Sequence, residues 1–193
     1  MKVVLIKYNA GNVQSVLFAL ERIGVKGILS DNPEEINSAD KIIFPGVGEA
    51  TSAMKYLREK KLDSIIKSLK QPTIGICLGM QLMCKYSEEG NTDCLGLFDL
   101  NVKMFKGGLK IPQVGWNNIF NLKGELFNGI KEYEFMYFVH GYYVEKNKYS
   151  IAETNYITDF SSAIQKNNFY AVQFHPEKSS EAGQKILLNF IKM

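Results

Sequence analysis

The chain has little with which to hold a metal or to staple itself together. It carries two histidines, His140 and His175, and three cysteines, Cys77, Cys84 and Cys94. An odd number of thiols without C-x-x-C spacing makes neither a disulfide framework nor a zinc site, and it points to a reducing compartment. No metal or cofactor is expected. Long apolar runs are missing too. The opening Met1-Lys2-Val3-Val4-Leu5-Ile6-Lys7 is broken too soon for a secretory signal, and nothing approaches membrane-spanning length. Charge of one dominant sign is also missing. The net charge is +3, with both signs spread along the sequence. Two locally basic stretches, 55–61 and 103–110, are interrupted by Glu59 and by Gly107-Gly108. They read as solvated faces or loops, not as a nucleic-acid footprint. Repeats, low-complexity tracts and linkers are absent as well. The expectation is a cytoplasmic protein with no membrane or nucleic-acid partner.

What is present suits one compact domain over residues 1–193. With 46% hydrophobic residues, a chain of this length can fill a core without staples. Strand-like and helix-like segments alternate through the first half. Residues 3–6 are a four-residue apolar run. Residues 13–23 place Val13, Val16, Leu17, Leu20 and Ile23 at helical spacing, with Gly24 as a cap. A second strand is expected at 25–29 and a short Pro-opened helix at 32–36. A third strand is expected at 41–44, a helix broken near Lys60-Lys61 over 49–69, and a fourth strand at 73–76. This alternation with apolar strands predicts an α/β architecture, a largely parallel sheet with helices on both faces. The second half reads as strands at 97–105, 134–144, 149–154 and 161–166. A turn at Asn167-Asn168 makes a hairpin with 169–174, and a helix at 181–191 closes the chain.

In such sheets functional residues gather at the carboxyl ends of strands. There the sequence places Ala10-Gly11-Asn12, Pro45-Gly46-Val47-Gly48 and Gly75-Ile76-Cys77-Leu78-Gly79. The last has the G-x-nucleophile-x-G form of a nucleophile elbow, with sulfur as the reacting atom. A Cβ two residues to either side of the nucleophile would collide with neighbouring backbone, and a helix start behind the sulfur favours thiolate. The pentapeptide alone also fits a buried cysteine between incidental glycines. A thiol nucleophile needs a base and an orienting group. Phe174-His175-Pro176-Glu177-Lys178 offers both, since extended backbone before proline lets His175 and Glu177 project together. Glu177 would fix the tautomer and His175 would take the Cys77 proton. Read alone, that segment is an exposed turn. The N–H of Leu78 is one oxyanion donor by elbow geometry, and the loop of Val47 and Gly48 can supply another.

Taken together, Pro45-Gly46-Val47-Gly48, Gly75-Ile76-Cys77-Leu78-Gly79-Met80-Gln81, Phe138-Val139-His140 and Gln173-Phe174-His175-Pro176-Glu177-Lys178-Ser179 resemble the class I (triad) glutamine amidotransferases. The resemblance covers essentially the whole chain, in order. Within that family, Met80, Pro112-Gln113-Val114-Gly115-Trp116-Asn117 and Tyr137-Phe138-Val139-His140 resemble the glutaminase subunits of imidazole glycerol phosphate synthases. The resemblance implies a flavodoxin-like fold with a mixed, mostly parallel central sheet. It also implies a glutaminase with a Cys77-His175-Glu177 triad. Gln81 and Glu89 would hold the amino-acid end of glutamine, helped by backbone near Gly48, Gly141 and Tyr142, although Glu88 is an equally plausible acid by sequence. It further implies a heterodimer with a (β/α)8-barrel cyclase that receives the ammonia for histidine biosynthesis. Asn12, Pro112, Trp116, Asn117, Tyr137 and Lys178 match interface or gate positions, Trp116 on what reads as a glycine-containing loop. Lys7, Asn9, Gln113 and Gly141 depart from the family pattern. His140 reads as a strand histidine satisfied by its neighbours, Cys84 as core and Cys94 as a spare thiol. Two alternatives stay open: a paralogue feeding another amidotransferase, for example in surface-sugar synthesis, and an inactive regulatory relative.

Overall fold

A computed structural model describes residues 1–8, 11 and 13–193. The expected roles of Asn9, Ala10 and Asn12 therefore lie outside the described residues. In chain order the first half runs β1 (Val3–Ile6), α1 (Val13–Arg22), β2 (Gly27–Ser30), α2 (Pro33–Asn37), β3 (Lys41–Phe44), α3 (Ala50–Glu59), α4 (Leu62–Ser68), β4 (Thr73–Ile76) and α5 (Leu78–Met83). The second half runs β5 (Tyr86–Ser87), β6 (Thr92–Asp93), β7 (Asn101–Met104), β8 (Gln113–Ile119), β9 (Glu134–His140), β10 (Tyr142–Val144), β11 (Ser150–Tyr156), β12 (Thr158–Lys166), β13 (Phe169–Val172) and α6 (Ser180–Lys192).

A seven-stranded sheet in the order β2-β1-β3-β4-β13-β12-β11 forms the centre. Its first five strands are parallel, and β12 and β11 extend it in antiparallel fashion. Successive strand residues point to opposite faces. Val4, Ile6, Ile42 and Phe44 thus pack toward Ile36, Leu57, Leu62 and Leu82. Val3, Leu5, Ile43, Ile74 and Val172 face Val16, Leu20, Ile186 and Phe190 on the other side. Both faces are covered, so β1, β3 and β4 are buried at every position and a run such as Val3–Ile6 is apolar throughout. No helix among the described residues is long and apolar enough to cross a membrane.

The expected break in the 49–69 helix falls at Lys61, whose φ of 56° ends one helix before the next begins. Elsewhere the structure redraws the second half. Residues 113–119, read as a loop, are strand β8, paired antiparallel with β9 across their full lengths. The expected strand at 134–144 breaks at Gly141. Its first part joins the two-stranded ribbon with β8, and its second part joins a small sheet in the order β10-β7-β5-β6. Only residues 101–104 of the expected 97–105 strand are extended.

The ribbon alternates strictly. Met136, Phe138 and His140 are buried, whereas Phe135 is 54% exposed. On β8, Val114 and Trp116 are 57% and 52% exposed. Trp116 opposes Tyr137 and Val114 opposes Val139 in the register. One face of the ribbon is therefore apolar, aromatic and turned outward.

Candidate active site

Gly75 and Gly79 pack the β4–α5 corner without space to spare. A Cβ on Gly79 would sit 2.0 Å from the Phe44 carbonyl oxygen, and one on Gly75 would sit 2.9 Å from the Gly79 carbonyl carbon. Between them Cys77 has φ 52° and ψ −108°, backbone that a side-chain-bearing residue rarely adopts and that costs about 1–3 kcal/mol. The cysteine N–H donates to the Val172 carbonyl at 2.8 Å, so the β4–β13 pairing continues up to the nucleophile. Its thiol donates to the Val139 carbonyl at 3.5 Å.

His175 lies beyond the end of β13. Its N–H donates to the Tyr137 carbonyl at 2.8 Å, and the Ser179 hydroxyl donates to its carbonyl at 2.6 Å. Nδ1 meets Glu177 Oε1 at 2.8 Å, and both side chains are 1% exposed. The expected extended geometry holds for His175, with φ −101° and ψ 94°, but Pro176–Lys178 turns into a short 3-10 helix. Glu177 therefore returns to the imidazole through a turn and not through strand alternation. Nε2 is buried with no hydrogen-bond partner among the described residues. Burial lowers the His175 pKa, but Cys77 and then Glu177 outweigh it, so the imidazole is held well above the usual histidine range. That balance favours a proton on His175 opposite the sulfur.

A cavity of about 470 Å³ opens beside the sulfur, lined by Cys77, Val47, Gly48, Leu78, Gln81, Glu89, Pro112, Gly141 and Tyr142 among others. Every residue expected to bind glutamine lies on it. Glu89 is distinguished from Glu88, whose carboxylate instead accepts from the Met104 N–H at 2.7 Å. Glu89 accepts from the Ala50 N–H at 2.8 Å. Burial holds its carboxyl above the usual range, the Ala50 N–H works against this, and Glu49 adds to the rise. A second hollow of about 510 Å³ beneath Trp116 and Phe135 contains neither a cysteine nor a histidine.

The oxyanion donors stand differently from expectation. The Leu78 N–H is directed to the Gly46 carbonyl at 3.4 Å, and the Val47 carbonyl accepts from Gly11 at 3.2 Å. The Gly46–Val47 peptide thus presents oxygen, not N–H, to the donor beside Cys77. Tyr8 pins this loop by donating to the Pro45 carbonyl.

His140 is satisfied by its neighbours, as its strand position suggested. Nδ1 meets the Tyr142 carbonyl at 2.7 Å and Nε2 meets the Gln113 side-chain amide at 3.0 Å. Burial lowers its pKa to about 4, against the Tyr142 carbonyl and with help from His175. A neutral imidazole has one N–H, which the Tyr142 carbonyl takes, so Gln113 must turn its NH₂ toward Nε2. Trp116 stacks edge-on to Tyr137 at 5.8 Å, and Lys178 Nζ lies 6.0 Å from the same ring. Asn117 instead donates to the Asn155 carbonyl at 3.0 Å. Cys84 and Cys94 are buried free thiols.

Sequence reasoning gave Gln173 no task, yet its amide Nε2 lies 3.6 Å from Cys77 Sγ. The available signal was an amide inside the apolar run Ala171-Val172-Gln173-Phe174, because a buried amide must find partners.

The profile of the glutamine amidotransferase class-I family matches residues 4–193. A Bacteroides fragilis protein named imidazole glycerol phosphate synthase subunit HisH is 56% identical over 196 residues, covering all of both chains. The Escherichia coli K12 protein of the same name is 45% identical, again over all of both chains. A solved structure described as a glutamine amidotransferase superposes with a TM-score of 0.78 at 17% identity, covering 98% of this chain and 97% of that one. That last likeness bears on the fold alone.

Proposed function

The chain belongs to the class I glutamine amidotransferase family, and we propose that it is the glutaminase subunit of an imidazole glycerol phosphate synthase. It hydrolyses glutamine to glutamate and passes ammonia to a (β/α)8-barrel cyclase, which makes imidazole glycerol phosphate and aminoimidazole carboxamide ribonucleotide in histidine biosynthesis. The whole chain works as one amidotransferase domain. Its place is the cytoplasm, a reducing compartment that suits three free thiols.

The observation that carries this reading is Cys77 at the wall of the cavity holding Gln81 and Glu89, with the buried His175–Glu177 pair behind it. Cys77 attacks the side-chain amide carbon of glutamine after losing its proton to His175. The imidazolium is stabilised by Glu177, and it returns the proton to the departing nitrogen so that ammonia leaves neutral. Water, activated by the same imidazole, then splits the thioester to glutamate. Gln81, Glu89 and the backbone at Gly48, Gly141 and Tyr142 hold the other end of the substrate.

The tetrahedral intermediate needs donors at its oxyanion. Turning the Gly46–Val47 peptide would release the Leu78 N–H and aim the Val47 N–H at the same point, with Gly48 as the hinge. Free subunit is therefore expected to be nearly silent, and cyclase binding to activate it. The docking face is the outward side of the ribbon, with Trp116, Tyr137 and Lys178 at its centre and Pro112 and Asn117 at its margin. An exposed aromatic cluster of this kind fits a hot spot. Glutamine hydrolysis measured with and without a histidine-pathway cyclase is the test. Partner-stimulated activity that vanishes in Cys77→Ala supports the reading. Hydrolysis surviving in that variant would remove the mechanism. Full activity without any binding to the cyclase would assign the enzyme to another acceptor.

A further inference from the structure

Gln173 is fully buried one step past β13. In the parallel register, Ala171 lies beside Gly75 and Val172 beside Ile76. The next pair along is Gln173 and Cys77, so sheet pairing itself delivers the amide to the sulfur. Gln173 Oε1 accepts from Gln81 Nε2 at 2.9 Å, and Gln81 Nε2 also meets the Tyr142 carbonyl at 3.1 Å. An amide's nitrogen and oxygen are told apart by what they bond. The Tyr142 carbonyl can only accept, which makes its Gln81 partner a nitrogen. The Gln173 atom facing that nitrogen is then an oxygen, and the one facing sulfur is an N–H donor. One backbone oxygen fixes the whole chain.

We propose that Gln173 is a positioning residue that donates a hydrogen bond to the Cys77 sulfur and links it to Gln81. The proposal rests on the reading of Cys77 as the nucleophile. The Val139 carbonyl, 3.5 Å away, accepts from the thiol. The Gln173 N–H, 3.6 Å from the sulfur, is a donor to it, and a donor there interacts more strongly with sulfur that bears negative charge. The titratable groups facing the sulfur are His175 and Tyr8, with Glu177 acting through His175 and His140 behind it. Gln173 carries no charge and remains a donor throughout the pH range in which those groups change.

The test is site-resolved alkylation of Cys77 by iodoacetamide as a function of pH, read by mass spectrometry on the full chain. Gln173→Glu keeps the size and the acceptor toward Gln81 but places an anion against the sulfur. Gln173→Met keeps the length and removes both bonds. The Glu variant is expected to slow alkylation near neutral pH roughly tenfold and to move its pH profile upward by about one pH unit, the two readings that a tenfold loss of thiolate links. The Met variant moves in the same direction by less. With cyclase present, kcat for glutamine hydrolysis falls in both variants while KM in the Glu variant stays near that of the parent. A wild-type rate and an unchanged pH profile in the folded variants would overturn the proposal. If the Glu variant does not fold, the Met variant decides. A parent Cys77 no more reactive than Cys84 and Cys94 would instead sink the nucleophile reading, so the two failures are distinct.

Discussion

At the Gly75–Gly79 corner the backbone packs without space to spare, and on the β8–β9 ribbon the chain leaves an apolar face open. Two glycines make the contrast plain. Gly79 lies where an added methyl would enter the Phe44 carbonyl, whereas an added Cβ on Gly115 would meet no heavy atom within 4 Å. The elbow is fixed by backbone packing and buried hydrogen bonds. The ribbon is fixed on one side only, by Met136, Phe138 and His140, and its aromatic side, the proposed docking face, is turned outward. Chemistry that tolerates little displacement is placed on the first kind of structure. Recognition is placed on the second, where exposed aromatic area is what a docking partner can use.

That division can be broken or sharpened by substitution. The largest effect is expected at the elbow. Gly79→Ala forces backbone apart at the centre of the parallel sheet and should cost more than about 4 kcal/mol, seen as loss of soluble, cooperatively unfolding protein. Next comes Trp116→Ala. It should weaken cyclase binding by about 2–4 kcal/mol in calorimetric titration and leave the unfolding midpoint of the free chain near that of the parent. A large loss of stability there would show that the ribbon is structural after all.

The hidden side of the ribbon has its own signature in pH. His140 has a folded pKa of about 4, below the ordinary value near 6.5. Between those values the unfolded chain binds a proton that the folded chain refuses. Stability from this site is complete above the ordinary value and falls as pH drops toward the folded one. By about pH 5 the loss amounts to about 2 kcal/mol. Denaturant unfolding of the parent and His140→Gln at both pH values should show this component only in the parent. The smallest effect is expected from Gly115→Ala. Its φ of 138° disfavours a side chain, but open space limits the cost to about 1 kcal/mol, read as a small shift in thermal midpoint.

Much of the parallel half was legible because burial on both faces writes largely apolar runs, as at 3–6, 42–44 and 74–76. The elbow was legible because its glycines answer a steric demand that the pentapeptide already displays. Strand β8 was not. Pro112, Gly115, Asn117 and Asn118 read as loop residues, and two of its three apolar side chains, Val114 and Trp116, face outward, which reverses the usual pattern. β5 and β6 have two residues each, too short for any period. The break at Gly141 followed from which sheet each half could join, information that lies on β7 and β8. At the site, the separation of Glu89 from Glu88 came from the 3-10 turn that points one inward. The turned Gly46–Val47 peptide left no mark in residue identity, since glycine allows either orientation.

The left-handed backbone at Cys77 also bears on descent. Glycine at that position would relieve its strain. In a lineage that had stopped using the thiol, mutation would be free to drift toward that relief, and the cysteine would be among the first residues of the site to go. Continued use of the thiol would account for a side chain kept in so disfavoured a conformation at the tip of the elbow.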